Sequence, residues 1–364
     1  MSLTRFLTAW RTTPLSDREV IDALVHPSHA GPSAELSQAL KAWRGSHYWS
    51  DEPDGRHLVL THPTGPRASE QWGLHALLFA VTLFTTTLGG AVLSGTIGVD
   101  DAFAPRHWVD AILNGWTGGL SFSLPLLAIL LCHELGHYLT ARRYHLDVSP
   151  PYFIPGPPAP FGIGTMGAFI RLRTILTDRR QLLDVGAAGP FAGFLVALPV
   201  LWIGFALSRP ADSGSSGMEV WLRDGPLWQL GDSIVTLVAR RLALGDTAGV
   251  ILHPMAIAGW FGMFVTALNL MPMAQLDGGH ILYAAAPRRH EWIGRAFWVT
   301  LMVLGWFSRQ WLVWGVLVLL LSRGRLAHPP VLDAYRPLPP ARAWLAWASL
   351  ALFVATFTPV PLGP

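Results

Sequence analysis

A chain of 364 residues with 51% hydrophobic and only 13% charged residues, and a mean hydropathy of +0.37, is too apolar for a soluble globular protein and reads as an integral membrane protein. Its formal charge of +3 is mostly arginine without a dense cluster, so no nucleic-acid partner is expected, and the single cysteine, Cys132, excludes an intrachain disulfide. Seventeen tryptophans and 29 prolines suit interfacial anchors and broken membrane-depth segments better than straight helices throughout.

In chain order, residues 1–72 carry seven Lys/Arg and eight Asp/Glu and read as a small N-terminal cytoplasmic or membrane-surface region. Within it, Ser16-Asp17-Arg18-Glu19 has the form of a capping box opening a short helix, and Leu3, Phe6, Leu7 and Trp10 form an apolar face suited to the bilayer surface. Met1 to Trp10 lack the apolar core and cleavage site of a signal peptide. A first transmembrane span follows at 73–95, then spans at about 120–141, 182–208 and 255–276, each near or above the length that crosses a bilayer. Residues 292–322 hold one or two short spans with a turn at Arg309 and Gln310, and a C-terminal span covers 341–358. The expected fold is an all-α polytopic membrane protein of about seven transmembrane helices, in a range of six to eight.

Arginine is unevenly distributed between the spans. The stretch from Arg142 to Arg180 has six Arg against two Asp, and Asp277 to Arg295 has three Arg. Thr96 to Gly119 has one Arg against three Asp, and Arg209 to Pro254 has four Arg against five acids. The positive-inside rule places the first pair in the cytoplasm, with the N-terminus cytoplasmic and, for seven spans, the C-terminus non-cytoplasmic.

At the end of the uncharged run from Leu120 to Leu131 stands His133-Glu134-Leu135-Gly136-His137. Helix residues four apart share a face about 6 Å apart, so both histidines can reach one Zn²⁺ with Glu134 beside them as a general base. Ionisable groups at bilayer depth are costly and signal function; the competing reading is a polar contact between helices. Cys132 points about 100° from His133 around the helix and reads as packing.

A zinc site with one open position needs a third protein ligand. The strong candidate is Asp277, in Asn269-Leu270-Met271-Pro272-Met273-Ala274-Gln275-Leu276-Asp277-Gly278-Gly279-His280. Pro272 and the glycine pair are expected to break a helix, which lets the backbone carry the carboxylate toward the metal. Taken alone, Asp-Gly-Gly is only a turn signal.

With both motifs in order, the chain resembles the site-2 protease family of intramembrane zinc metalloproteases, over roughly Leu120 to Tyr283. The resemblance implies one Zn²⁺ per chain on His133, His137 and Asp277, Glu134 as catalytic acid/base, and a three-helix catalytic core spanning 120–283. Gly186-Ala187-Ala188-Gly189-Pro190-Phe191-Ala192-Gly193 opens the third span with small residues that permit close helix approach. Thr165, Met166, Gly167, Ala168, Phe169 and Ile170 read as a glycine-bounded strand. Relatives are similar in having a short membrane-associated β-hairpin near the active site, whose free edge would take an unwound substrate by strand addition. Asn269 is a candidate oxyanion or substrate contact, or a donor to carbonyls freed by Pro272. His280 competes with Asp277 only by proximity, and His145 and His253 read as interfacial residues.

The implied activity is hydrolysis of peptide bonds within or near transmembrane segments of membrane-protein substrates, as in regulated intramembrane proteolysis. The alternative is a non-proteolytic metal-binding membrane protein, either a transporter or a silent protease relative that binds transmembrane partners. Glu134 and the concentration of polar groups at one depth favour the protease. The loops at Arg142–Gln181 and Arg209–Pro254 are too short for the PDZ or CBS domains of many relatives. Substrate choice is therefore expected to rest on the membrane core, the N-terminal region, the loops or a membrane-bound regulator. Besides the lipid bilayer, the expected partner is a transmembrane protein substrate, and the expected location is the plasma (inner) membrane of a prokaryote.

Overall fold

The computed structural model describes residues 3–15, 18–43, 45, 47–64, 69–104, 108–159, 162–173, 176–211, 217–223, 225–247, 249–329, 331, 333–334 and 336–363. Near the N-terminus, β1 (Leu7–Pro14), β2 (Arg18–Val25), β3 (His47–Glu52) and β4 (Gly55–Pro63) form an antiparallel sheet of order β1-β2-β4-β3, and α1 (Ala34–Lys41) packs on it. Ser33 caps α1 by accepting from the Leu36 amide, and Leu36 and Leu40 meet Phe6, Val25, Leu58 and Leu60 in a small core. The capping-box expectation fails here. Ser16 and Asp17 lie outside the described residues, while Arg18 and Glu19 begin β2, whose β-branched Val20, Ile21 and Val25 pair into strands on both sides. The bilayer-surface face fails too: Phe6 is buried in the core, and Leu7 and Trp10 belong to β1.

The helical layer begins with α2 (Trp72–Leu93), short α3 (Val99–Phe103) and α4 (Trp108–Arg143). Glycines set the α2–α4 crossing. A Cβ on Gly90 would stand 2.6 Å from the Gly119 carbonyl oxygen, and one on Gly119 would stand 2.5 Å from the Thr87 carbonyl oxygen. In a membrane, where apolar transfer drives little association, such close approach is what holds helices together. Next come β5 (Tyr152–Pro155) and β6 (Thr165–Phe169), the expected hairpin, and α5 (Arg179–Ala206), capped by Asp178. The helices α2, α5 and the Thr117–Arg143 part of α4 are long and apolar enough to cross a membrane, and the chain is an integral membrane protein.

Beyond α5, a second sheet of order β11-β9-β8-β10-β7 is built from β7 (Arg209–Pro210), β8 (Gly217–Leu222), β9 (Gly225–Leu230), β10 (Gly249–Ile251) and β11 (Leu362–Gly363), with α6 (Ile234–Leu244) between β9 and β10. The remaining helices are α7 (Pro254–Asn269), α8 (Asp277–Ala285), α9 (His290–Leu304), α10 (Arg309–Leu321) and α11 (Ala343–Thr356). Two extended sheets therefore correct the all-α expectation. Their strands carry charged residues among the apolar ones, so residues 1–72 read as a small region without a sheet and the later strands as a loop. The span expected over 255–276 is helical only to Asn269, because Pro272 cannot continue the helix. The turn between α9 and α10 is at 305–308, and Arg309 is already helical.

Candidate metal centre

One face of α4 carries His133 and His137, one turn apart and both buried. The break after α7 brings Asp277 to them. Residues 270–276 fold back, with Ala274 at φ 52°, and Asp277 becomes the first residue of α8, where a carboxylate is favoured by the helix dipole. The glycine pair is not the break itself: Gly278 and Gly279 lie inside α8. Cβ atoms there would stand 2.0 Å from the Leu270 carbonyl oxygen and 2.4 Å from that of Ala274, so only glycine lets α8 nest on the returning segment.

Three ligand atoms converge. His133 Nε2 and His137 Nε2 are 3.1 Å apart, and Asp277 Oδ2 is 3.3 Å from the first and 3.2 Å from the second. A tetrahedral ion with bonds of about 2.0–2.1 Å separates its ligands by about 3.3–3.4 Å, so this triangle fits a zinc-sized cation. Tautomer chemistry agrees: His137 donates from Nδ1 to the Val185 carbonyl at 2.7 Å, which leaves a lone pair on Nε2. Among the described residues, Asp22, Glu52 and His57 form another group with metal-ligand spacing, but Arg336 already supplies its cation, 2.6 Å from Asp22 and 3.3 Å from Glu52. The His57 imidazole pKa is lowered by burial and raised more by Asp22, Glu52 and Asp54, for a net upward shift.

Glu134 is buried beside the histidines, and the Ile170 backbone lies near its carboxylate. Asn269, the last residue of α7, places Nδ2 3.2 Å from His133 Nε2. The structure thus gathers His133, Glu134, His137, Asn269, Ile170 and Asp277. β6 pairs with β5 along one edge, and no strand covers its other edge among the described residues; Met166 and Phe169 are exposed. Thr165 faces inward, its hydroxyl donating to the Ile154 carbonyl and accepting from the Gly167 amide at a bulge. The hairpin lies along α2: Tyr152 stacks on His75, and Thr85 donates to the Gly164 carbonyl at 2.6 Å. Ten helical residues separate these two contacts, about 15 Å along the axis.

The other sequence candidates stand elsewhere. His280 bonds to His328 at 2.7 Å, His253 caps α7 by accepting from the Met255 amide, and His145 is exposed with its carbonyl bonded to Arg18. Cys132 is half-buried and free. Val185 and Gly189 escaped sequence reasoning as parts of the site. A backbone carbonyl has no residue signature, whereas the spacing of Gly186, Gly189 and Gly193 on one face of α5 could have been aligned with the histidines it covers. Outside the membrane, Arg173 grips Glu70 at 2.7 and 3.0 Å and holds its carboxyl below the usual range.

The profile of the family described as Peptidase family M50 matches residues 121–305. Curated relatives include "Probable zinc metalloprotease EGY1, chloroplastic" of Arabidopsis thaliana, 32% identical over 78% of this chain and 53% of its own length. The protein of that name from Oryza sativa subsp. japonica is 33% identical over 61% of this chain and 39% of its own. "Probable zinc metalloprotease EGY2, chloroplastic" of Arabidopsis thaliana is 32% identical over 57% of this chain and 36% of its own. The chain thus spans about half the length of these relatives or less. No solved structure matches it significantly.

Proposed function

Because the chain belongs to peptidase family M50, the site-2 protease family, we propose that it is an intramembrane zinc metalloprotease that hydrolyses peptide bonds in or near transmembrane segments of membrane-protein substrates. The observation that carries this reading is the triangle of His133 Nε2, His137 Nε2 and Asp277 Oδ2 beside the buried Glu134. In it, His133, His137 and Asp277 hold one Zn²⁺ per chain, and residues 120–283 are the catalytic core. The ion, when bound, supplies Lewis-acid polarisation of the scissile carbonyl and acidification of a water. Glu134 takes the proton of the attacking water and later delivers it to the leaving amine. Asn269 Nδ2 donates to the oxygen on which negative charge develops.

A helical substrate hides its carbonyls in i→i−4 bonds and has to unwind before it can react. The free edge of β6, with Ile170 just beyond it, takes the unwound segment as an added strand and delivers it toward Glu134, near which the Ile170 backbone lies. Processing of this kind is regulated intramembrane proteolysis, with a membrane-bound regulator as its natural partner. The seven-span topology puts the N-terminus in the cytoplasm and the C-terminus opposite; what supports it is the arginine distribution, and β11 pairs in the sheet that follows α5 rather than in the N-terminal one. The similar plant proteins are named chloroplastic, so the expected prokaryotic plasma membrane draws no support from them.

The test is cleavage of transmembrane proteins by the purified full chain reconstituted in liposomes, with Glu134→Gln as control. Cleavage by the wild type, lost at least about 10²-fold in the variant, is expected; equal cleavage by both would overturn the role of Glu134.

A further inference from the structure

Between the N-terminal sheet and the ends of α4, α5 and α11 lies a cavity of about 820 Å³, within the size range of small-molecule sites. Among the described residues, three arginines line it: Arg143 at the end of α4, Arg180 in the first turn of α5 and Arg342 just before α11. Asp184 is the only carboxylate among the described lining residues, and its charge is already engaged. Its Oδ2 accepts from the Tyr144 hydroxyl at 2.5 Å and pairs with Arg342 at 2.9 Å. Burial, then Asp184, push the Tyr144 phenol up to about 12, so it stays a donor.

Arg143 and Arg180 make no ion pair among the described residues. The Nε of Arg180 is buried without a hydrogen-bond partner, and so is Oδ1 of Asp184. Unmet groups of this kind are costly, and the site is short of one acceptor at an arginine and one donor at a carboxylate. Aromatic residues complete the lining: Phe191 and Trp344 belong to it, and Trp344 is 61% exposed, as an interfacial tryptophan would be.

We infer that this cavity binds the headgroup of an anionic, hydroxyl-bearing phospholipid, its phosphate on Arg143 and Arg180, a headgroup hydroxyl donating to Asp184, and its chains leaving past Trp344. Position favours lipid over free phosphate. Arg143 ends one membrane-crossing helix and Arg180 begins the next, on the face that the arginine distribution assigns to the cytoplasm, where basic pockets meet anionic headgroups. The floor of the cavity is Thr140, one turn beyond His137, with Ala187 and Ala188, which lead into Gly189. A bound headgroup therefore braces the α4–α5 contact that holds His137.

The test is native mass spectrometry of the detergent-purified full chain with phosphatidylglycerol, phosphatidylethanolamine or phosphatidylcholine, and it needs no proteolysis. Two arginines near the surface should favour phosphatidylglycerol about thirtyfold over phosphatidylcholine. Arg143→Gln/Arg180→Gln should erase that preference and Arg143→Lys/Arg180→Lys should keep most of it, with tryptophan fluorescence melting as the fold check. Arg143→Gln alone, at an exposed position, gives the same readout if the double variant fails to fold, with a smaller loss expected. Equal retention of all three lipids, an unchanged preference in the glutamine variants, or binding of inorganic phosphate at these arginines without a preference for phosphatidylglycerol would each overturn the inference.

Discussion

A Cβ atom on Gly189 would stand 2.0 Å from Nε2 of His137, so α5 touches that nitrogen with bare backbone. One methyl group there collides with the imidazole. Gly189→Ala should lower zinc per chain at least about tenfold, or cost about 1–3 kcal/mol of stability if the helices separate to make room. Metal analysis alongside thermal unfolding checks both, and wild-type values in both would mean that α5 yields without disturbing His137.

Asp277→Ala removes one corner of the triangle and should cut zinc occupancy strongly, since two imidazoles alone make a poor site for zinc. The measurement is zinc per chain in detergent. Full occupancy in this variant would move the third ligand elsewhere.

Asn269→Ala should leave zinc in place yet reduce kcat about 10²-fold with little change in KM, as expected of a donor that acts on developing charge. Loss of zinc instead would assign Asn269 to holding His133.

Glu70 binds Arg173 and so ties the residues just before α2 to the segment leaving the hairpin. Its carboxyl is held below the usual carboxylate range, mainly by the Arg173 hydrogen bond. A depressed folded pKa adds stability above the unfolded value, and that stability is lost as pH falls through the folded value. Amide exchange over Thr165–Phe169 should therefore accelerate as pH falls below about 4.3, once corrected for intrinsic rates. In Glu70→Gln the exchange should be fast already at neutral pH and lack this acid step; identical profiles would show that the tether does not hold the hairpin.

Arg336 joins Asp22 and Glu52 of the N-terminal sheet to Asp333, with its own side chain only 5% exposed. Arg336→Ala leaves those carboxylates without their cation and should cost about 1–3 kcal/mol, discounted because Asp22 and Asp333 are partly solvated. The expected result is faster trypsin cleavage after Arg67, which releases residues 1–67; unchanged cleavage would mean that other contacts dock the sheet.

The histidines were legible because a four-residue spacing on a helix is geometry in itself, and Asp277 because the later motif completes the set. The three long spans were legible from hydropathy, although α4 begins at Trp108, before the apolar run from Leu120. The two larger sheets were not. In β2, Ala23 and Val25 are buried on one face and Val20 on the other, the face of Asp22, and pairing to β1 and β4 decides the outcome. Gly278 and Gly279 misled for a different reason. Their value lies in what they touch across the break, and a local pattern cannot distinguish that from a turn. Val185 acts through its carbonyl, which every residue possesses.

β11 places Leu362 against Leu230 and Gly363 against Gln229, while Pro359 receives the Trp311 indole N–H at 2.7 Å. The edge of β9 is thus covered by residues that lie 132 positions further along the chain, from Leu230 to Leu362. Until β11 arrives, that edge stands open to any other strand. Synthesis therefore makes the helices that carry His133, His137 and Asp277 before the strand that closes this sheet.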